Sequence, residues 1–384
     1  MRRSADRILT THCGSLARPR DLLDMMRARA GGGPHDAEAY ARRVRSAVAE
    51  TVRRQIESGI DILTDGEQGK LGFYAYVRER LTGFEPQAGP RPTPFAAEVS
   101  AFPEYYEQYM TRAMTGGSVS PIVPLVCTGP VTYQGRAALD RDIDNLKAAL
   151  TGPDPVEVFM PAVAPSGVGT NQYYPTEEEY LHAVAQAMQT EYRAIVDAGF
   201  LVQIDDPFLT DLYSDPSLSD GLRRRRAEMY VEAVNLGLRG IPADRVRFHT
   251  CYGINEGPRI HDAPLGDVVD VMLKVNAGAY SFEAANPRHE HEYHLWERVK
   301  LPDGKLLIPG VITHASNIVE HPELVAERIV RYARLVGREN VIAGTDCGFS
   351  SQATYTPEVH PTVVWTKFRA MAEGARLASA QLWR

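Results

Sequence analysis

Length, composition and charge place the chain among folded globular proteins and exclude several classes. Of its 384 residues, 44% are hydrophobic and 24% are charged, close to the averages for such proteins, which excludes a disordered chain. The 42 Lys and Arg against 49 Asp and Glu give a net charge of −7. Because an acidic chain repels phosphate backbones, we expect no nucleic-acid partner.

The sequence also predicts neither a membrane partner nor a signal peptide. No apolar run approaches the roughly 18 residues that cross a bilayer, and no apolar stretch follows the charged residues 1–7. The four cysteines have no Cys-x-x-Cys spacing and are too few for a disulfide framework. We therefore expect a cytoplasmic protein, in whose reducing setting a thiolate can serve as a metal ligand.

Short β-type runs alternate with longer helical patterns along the chain. The runs are residues 7–11, 61–64, 121–126, 156–160, 201–204, 246–249, 279–282, 306–312 and 340–343. Most are uniformly apolar, as expected of parallel strands buried on both faces. This alternation favours an α/β fold, either a (β/α)8 TIM barrel or a doubly wound sheet.

Two of the intervening helices have clear ends. Thr176 and Glu179 form a capping box, and the helix they begin runs to Ala198, where Gly199 ends it. A second helix has an apolar stripe at positions 325, 329, 332 and 336 and ends at Gly337.

A barrel needs eight strands, and the run at 121–126 is the weakest of the nine because prolines and a glycine interrupt and flank it. We assign it to an edge hairpin or an insertion. Residues 83–121, rich in proline, are predicted to form an irregular insertion that covers one end of the barrel. The sequence has no internal repeat and no segment with the composition of an interdomain linker. Residues 1–384 are therefore predicted to form a single domain.

Polar or ionisable residues follow nearly every β-type run. In a barrel the carboxyl ends of all strands lie at one rim, where active sites are built. We therefore expect these groups, dispersed in sequence, to converge in space. The segments are Thr11-His12-Cys13-Gly14-Ser15, Asp65-Gly66-Glu67, Asp205-Asp206-Pro207, His249-Thr250-Cys251, Glu283, His314 and Asp346-Cys347.

The pair His249 and Cys251 is the sharpest of these signals. Residues i and i+2 of a strand point to the same face, and an imidazole with a thiolate suits Zn²⁺ better than Mg²⁺ or Ca²⁺. The alternative is a buried cysteine beside a satisfied core histidine. Cys347 and Glu283, also at strand ends, would complete a tetrahedral set.

Four motifs together resemble the catalytic barrel of cobalamin-independent methionine synthase, and still more closely its single-barrel relatives, which include epoxyalkane:coenzyme M transferase. They are Phe248-His249-Thr250-Cys251-Tyr252, Gln203-Ile204-Asp205-Asp206-Pro207, Asp65-Gly66-Glu67 and Thr345-Asp346-Cys347-Gly348-Phe349. The resemblance covers essentially the whole chain and implies a (β/α)8 barrel with zinc held by His249, Cys251, Glu283 and Cys347. A rival arrangement keeps three of these ligands and leaves Glu283 outside the coordination sphere.

The resemblance also implies roles for further positions. Ser15, Glu67 and Asp205 match the places where methionine synthase holds the amino-acid part of homocysteine, and His314 matches its proton-donating histidine. Simpler interpretations remain open: His314 as a strand-end histidine bonded to a backbone carbonyl, and the two carboxylates as caps of barrel loops.

Two features depart from the long methionine synthases. The chain has no room for their second barrel, which puts binding of a polyglutamylated folate in question. Residues 282–292 differ from the corresponding segment of methionine synthase after Glu283, and they contain many ionisable groups. There Arg288 and His291 are candidates for binding an anionic substrate group, with a surface loop of paired charges as the alternative and His289 with His291 as a rival metal pair.

The predicted function is zinc-dependent transfer of a methyl or alkyl group from a donor to a small thiol, homocysteine-like or coenzyme M-like, activated as a zinc-bound thiolate. Alternatives are a carbon–sulfur lyase or epoxide–thiol transferase, a zinc hydrolase with water in the open position, and a non-catalytic zinc protein. The identities of the thiol and donor are open, as is a homo-oligomer formed through the outer helices.

Overall fold

The computed structural model describes residues 1–33, 36–87, 95–114, 117–121, 123–152, 154–253 and 256–384, with only the backbone at 113 and 114. Eleven strands occur in these ranges. They are β1 (Leu9–Thr10), β2 (Ile62–Leu63), β3 (Phe84–Pro86), β4 (Leu125–Cys127), β5 (Glu157–Val163), β6 (Thr170–Asn171), β7 (Leu201–Asp205), β8 (Val246–His249), β9 (Ala279–Phe282), β10 (Leu306–Ile312) and β11 (Ile342–Thr345).

Eight of the strands form one sheet in the order β1-β11-β10-β9-β8-β7-β5-β2. Each neighbouring pair is parallel. At the seam between β1 and β2, the amide of Asp61 donates to the carbonyl of Thr10 at 3.1 Å, and the amide of Thr10 donates to the Asp61 carboxylate at 2.9 Å. The sheet is thus nearly closed, and the predicted (β/α)8 barrel is confirmed.

Helices cover the outside of the sheet. In the described residues the α-helices are α1 (Arg20–Ala30), α2 (Ala37–Glu57), α3 (Ala96–Ala101), α4 (Pro103–Tyr109), α5 (Arg136–Ala149), α6 (Glu177–Asp197), α7 (Phe208–Ser214), α8 (Asp220–Gly237), α9 (Leu265–Met272), α10 (Pro322–Val336) and α11 (Pro361–Leu382). Neighbours on the barrel surface pack together, notably α10 with α11, α6 with α8 and α2 with α5. None of the helices in these ranges is long and apolar enough to cross a membrane.

The predicted helix ends are confirmed. The Thr176 hydroxyl accepts the amide of Glu179 at 3.1 Å, which satisfies one of the free donors at the start of α6. Gly199 follows α6 with φ 97° and Gly337 follows α10 with φ 92°, backbone conformations that glycine adopts at little cost. Because residues Arg338–Asn340 form a 3₁₀ turn, the last strand begins at Ile342 rather than at the predicted residue 340.

The barrel interior is filled in layers. One apolar layer consists of Leu9, Ile62, Phe159, Leu201, Ala279, Leu306, Ile308 and Ile342. Next to it the buried guanidinium of Arg247 lies 3.8 Å from the centre of the Phe159 ring and donates to the Thr11 hydroxyl at 3.0 Å and the His12 carbonyl at 3.1 Å. These contacts anchor the strand-end segment that contains Cys13.

The run predicted at 121–126 lies outside the barrel, as expected. Its last two residues lie in β4, which pairs antiparallel with β3 and parallel with β6 in a separate three-stranded sheet. The sheet therefore reaches beyond the predicted insertion of residues 83–121, because β6, at 170–171, contributes to it. Prolines 90, 92 and 94 of that prediction lie outside the described residues.

Candidate metal centre

Three cysteines and one histidine converge at the carboxyl ends of the barrel strands. Cys13, Cys251 and Cys347 follow β1, β8 and β11, and their buried side chains form one cluster. The Sγ atoms of Cys347 and Cys251 are 3.2 Å apart. A ring nitrogen of His249 and the Sγ atoms of Cys13 and Cys347 all lie within 4.8 Å of one another. We call these four residues the thiol cluster.

His249 is oriented for metal binding. Its Nδ1 lies 3.2 Å from the hydroxyl of Ser281, while no group in the described ranges hydrogen-bonds its buried Nε2. Burial, with smaller contributions from Arg247 and His314, lowers the pKa of His249 to about 3. A neutral imidazole with one nitrogen held by a hydrogen bond and the other free is the arrangement found in metal-binding histidines.

The cysteines are thiols at neutral pH unless a cation stabilises their thiolates. The pKa of Cys251 is raised by its contact with Cys347 and by burial, and the pKa of Cys347 is raised by its contact with Cys13 and by burial. A bound metal ion deprotonates a coordinating thiol outright. Sulfur and imidazole donors are those that Zn²⁺ prefers, so the residues of the thiol cluster fit this ion.

Glu283, predicted as a ligand, lies at the end of β9 with both oxygens engaged. Its Oε2 is 2.9 Å from Nη1 of Arg259 and accepts from Asn286 at 2.8 Å. Its Oε1 accepts the amide of Tyr252 at 2.9 Å. Carboxylate oxygens of Glu283 and Asp346 and a ring nitrogen of His314 lie within 4.8 Å of one another. We call Glu283, Asp346, His314, Arg259 and Asn286 the carboxylate cluster.

His314 is buried beside Asp346 in this cluster. Its Nε2 lies 3.3 Å from the carbonyl of Gly253, the contact that the simpler interpretation of this residue anticipates. No hydrogen-bond partner of its Nδ1 is found in the part of the chain that the structure describes. Burial lowers the pKa of His314 to about 4, and the charge of Asp346 opposes this shift. The ring is therefore neutral at rest and can accept a proton at Nδ1.

Glu67 and Asp205 lie buried next to the thiol cluster. Gln203 joins the two regions, because its Nε2 donates to Asp205 at 2.8 Å and to the carbonyl of Cys13 at 2.5 Å. Burial raises the pKa of Glu67, against the charges of Lys70 and Arg18. The pKa of Asp205 is raised well above its ordinary value by burial and by Glu67.

Ser15 is buried at the same rim, next to the strand-end segment that follows β11. The backbone carbonyl of Ser15 accepts the amide of Phe349 at 3.0 Å. A side chain at Gly348 would meet the Ser15 hydroxyl, so Gly348 is what allows the two segments to approach. The three residues predicted to hold an amino acid thus occupy one region beside the cysteines.

Arg288 and His291 are exposed and lie outside both clusters. Arg288 donates to the carbonyl of Ile260 at 3.1 Å. The buried His289 places its Nδ1 2.9 Å from Glu292 and its Nε2 3.1 Å from Asp262, so both of its nitrogens already contact carboxylates. Arg288 and His291 therefore lie at the surface, and their binding of an anionic substrate group stays a prediction.

Cys13 is the residue of the thiol cluster that the sequence did not single out. It belongs to one of the strand-end segments, but its distance along the chain from the other cysteines matches no metal-binding motif. The contact between β1 and β11 brings it next to Cys347. The sequence signal that could have identified Cys13 is its position at a strand end, directly before a Gly-Ser pair.

The fold and the site define a (β/α)8 barrel protein with a buried sulfur and imidazole cluster where its strands end. The family model described as cobalamin-independent synthase, catalytic domain, matches residues 111–370. The chain therefore belongs to this family, which confirms the resemblance stated from the motifs.

Two relatives and one solved structure are similar to this chain over most of its length. A methionine synthase from Sulfolobus acidocaldarius is 24% identical over 349 residues, 88% of this chain and 85% of the relative. One from Saccharolobus islandicus is 25% identical over 378 residues, covering 98% and 96%. The structure of a B12-independent methionine synthase from Shewanella sp. W3-18-1, in complex with selenomethionine, superposes with a TM-score of 0.73 at 18% identity, covering 98% of this chain and 99% of that one. That structure shares the fold.

Proposed function

We propose that this protein is a zinc-dependent enzyme that transfers a methyl or alkyl group to a small thiol, without cobalamin. The observation that carries the proposal is the convergence of three buried thiols with a ring nitrogen of His249 at the strand ends. Family membership and relatives named methionine synthase support methyl transfer over other zinc chemistries. Hydrolytic zinc sites use histidine and carboxylate ligands far more than paired thiolates, which argues against a hydrolase.

The chemical problem is that a free thiol is a weak nucleophile at neutral pH. With a pKa near 8.5 it is mostly protonated, and zinc supplies the thiolate form at neutral pH. The protein thiolates Cys251 and Cys347 would place negative charge on the ion and so keep a substrate sulfur reactive. His249, held by Ser281, would fix the ion against β8.

The charges beside the thiol cluster favour a thiol that carries an ammonium group. Glu67 and Asp205 are buried carboxylates, and oxygen Oε2 of Glu67 has no hydrogen-bond partner among the described residues. Its nearest guanidinium, that of Arg18, is 3.9 Å away. Burial raises the pKa of both groups, so the ammonium group of an amino-acid thiol of the homocysteine type would favour their ionised forms, whereas the sulfonate of coenzyme M would not.

His314 is the candidate proton carrier of the reaction. It is buried within the rim and neutral at rest, with Asp346 close enough to stabilise the protonated ring. We propose that it takes up the proton released by the substrate thiol and passes this proton to the leaving group of the alkyl donor.

The proposal is tested by S-alkylation with a simple electrophile, which removes the need to know the natural donor. Zinc-loaded and chelator-treated protein are compared with methyl iodide and homocysteine, cysteine or coenzyme M at pH 7. We expect the zinc form to accelerate methylation of homocysteine most, and Cys127→Ser to behave as wild type because Cys127 lies on β4, outside the thiol cluster. Absence of any zinc-dependent acceleration with all three thiols would contradict the proposal. Monoglutamyl and polyglutamyl methyltetrahydrofolate then test the natural donor.

The amino-acid contact is tested separately by Glu67→Gln. Loss of one charge-assisted contact costs roughly 1.5–3 kcal/mol, so KM for homocysteine is expected to rise about 10- to 100-fold. KM for a thiol without an ammonium group, such as mercaptoethanol, should stay the same. An equal rise for both thiols would show that Glu67 acts on the site as a whole.

A further inference from the structure

We infer that Glu320 and Lys367 are positioning residues, whose buried ion pair holds His314 where it passes a proton to the leaving group of the alkyl donor. This inference deepens the proposed function and rests on it. The two residues lie outside the thiol cluster and the carboxylate cluster, and neither is proposed to contact the metal or a reacting atom.

The loop between β10 and α10 contains His314. Apolar packing does little to fix this loop, because Ile318 and Val319 are 76% and 37% exposed and stabilisation follows the apolar area that is buried. Asn317 anchors the outer part of the loop, since its side-chain amide donates to the carbonyl of Glu358 at 3.0 Å. The start of the loop, where His314 lies, is held by different contacts.

The carboxylate of Glu320 reaches back to the start of the loop. Its Oε1 accepts the amide of Thr313 at 2.7 Å, and the hydroxyl of Thr313 accepts the amide of Ala315 at 3.1 Å. The amides on both sides of His314 are thus engaged within the loop, which fixes the direction in which its side chain leaves the backbone. The ring then places its Nε2 3.3 Å from the carbonyl of Gly253.

Lys367 holds Glu320 in place from α11. Its Nζ donates to Oε2 of Glu320 at 2.7 Å and to the carbonyl of Ile318 at 2.5 Å. The side chain of Lys367 is fully buried and that of Glu320 nearly so. Hydrogen bonds between two charged groups are stronger than neutral ones, so this pair ties the loop to α11 in one defined geometry.

Stability alone does not account for the pair. The cost of removing two charges from water offsets most of their attraction, and apolar side chains of similar volume often replace a buried ion pair without loss of stability. An apolar side chain at position 320 could attach the loop to α11, but it could not accept the amide of Thr313. The contact that requires a carboxylate is therefore the one beside His314.

The consequence for the reaction depends on the leaving group. When homocysteine attacks methyl iodide, a carbon–sulfur bond forms, iodide leaves with the electron pair of the carbon–iodine bond, and the thiol proton goes to solvent. When homocysteine opens propylene oxide, the carbon–oxygen bond breaks instead, and the oxygen must receive the thiol proton. Only the second reaction needs the proton that His314 passes on, so only this reaction should depend on the ion pair.

The inference is tested on the zinc-loaded full-length protein with homocysteine and each of the two electrophiles. The test variant carries Glu320→Met together with Lys367→Met, which leaves neither charge buried without a partner. Its kcat with propylene oxide should fall about 10- to 100-fold, while kcat with methyl iodide, KM for homocysteine and zinc content stay the same. An equal loss with both electrophiles, or no loss with propylene oxide, would overturn the inference.

A control variant removes a similar contact at the other end of the barrel. At the start of β2, the carboxylate of Asp61 accepts the amide of Thr10 at 2.9 Å and a guanidinium N–H of Arg7 at 2.7 Å. Changing both partners, Arg7→Met with Asp61→Met, should leave kcat with propylene oxide unchanged. A loss equal to that of the test variant would show that any weakening of the barrel has this effect.

A second comparison asks whether the pair acts through His314. His314→Gln alone should lower kcat with propylene oxide at least as much as the test variant does. Adding the test changes to His314→Gln should then cause no further loss, because residues that act only through His314 have no effect once its ring is gone. A further tenfold loss would overturn the inference.

The position of the ring is also measured without any turnover. The zinc-loaded protein is labelled with isotopic histidine, and the NMR signals of the His314 ring are assigned by their absence in His314→Gln. They should shift or broaden in the test variant and stay unchanged in the control variant. Unchanged signals in the test variant would overturn the inference, whether or not the wild type opens propylene oxide. Shifted signals in a protein that alkylates no thiol would support the placement of the ring and contradict the proposed transfer reaction.

Discussion

Two buried clusters lie side by side at the barrel rim and differ in how complete they are. In the thiol cluster the donors face one another, and the Nε2 of His249 has no hydrogen-bond partner in the described ranges. In the carboxylate cluster, Glu283 is balanced by Arg259 and Asn286, and Asp346 accepts two backbone amides at 2.7 Å each. The donors of the first cluster are those of a metal site, whereas the carboxylates of the second are paired within the protein, although Nδ1 of His314 and Nη1 and Nη2 of Arg259 have no hydrogen-bond partner in the described ranges.

The largest expected effect follows from Cys347→Ser, since Sγ of Cys347 lies 3.2 Å from Sγ of Cys251 and within 4.8 Å of donor atoms of Cys13 and His249. Zinc content should fall from about one ion per chain to near zero, and thiol alkylation should fall at least about a hundredfold, to the level of chelator-treated protein. Metal analysis after gel filtration and the methyl iodide assay measure these losses. Full zinc content in the folded variant would show that the ion binds elsewhere.

Arg259→Met is the corresponding change in the carboxylate cluster. It leaves the buried charge of Glu283 without its guanidinium, and breaking such a pair costs about 3–5 kcal/mol. Urea unfolding of the metal-free protein should show this loss, while the folded variant should still take up zinc. Unchanged stability together with a loss of zinc binding would contradict the claim that the two clusters have different roles.

A pH-dependent effect is expected at the edge of the carboxylate cluster, at His289. Burial alone would lower its pKa, but hydrogen bonds to Asp262 and Glu292 outweigh this and raise the pKa to about 9. Arg259, Glu283 and the stacked ring of Tyr252 also face this region. The stabilisation is therefore complete below pH 6.5 and is lost as the pH rises through 9.

The measurement is the difference in free energy of unfolding between wild type and His289→Gln at pH 6, 7.5 and 9.5. The difference should shrink with rising pH by an amount on the order of 3 kcal/mol. Groups common to both proteins cancel in this difference. A difference that is constant from pH 6 to 9.5 would show that His289 does not carry the charge.

The smallest effect is expected from Ser281→Ala, which removes the hydroxyl next to Nδ1 of His249. Residues that orient a metal-binding histidine typically change metal affinity by about 10- to 100-fold. Competition with a chromophoric chelator measures this change, and stability of the metal-free protein should change little. Unaltered affinity would mean that packing alone orients the imidazole.

The barrel could be predicted because its strands are short apolar runs, each followed by polar residues at the rim. His249 and Cys251 could be proposed together because they are two residues apart at a strand end. Cys13 could not be joined to them, because only the pairing of β1 with β11 brings it to Cys347. The exposure of Arg288 and the position of Arg259 depend on loop paths that leave no periodic signal, and the two-residue β6 is too short to leave one.

The most direct test of thiol activation at the thiol cluster uses selenohomocysteine, whose selenium can be distinguished from the protein's sulfurs. Zinc-edge X-ray absorption of the zinc-loaded protein is recorded before and after its addition. We predict a new selenium neighbour of zinc after the addition. A spectrum that keeps only sulfur and nitrogen neighbours at saturating selenohomocysteine would contradict the proposal that this barrel activates its substrate on the metal.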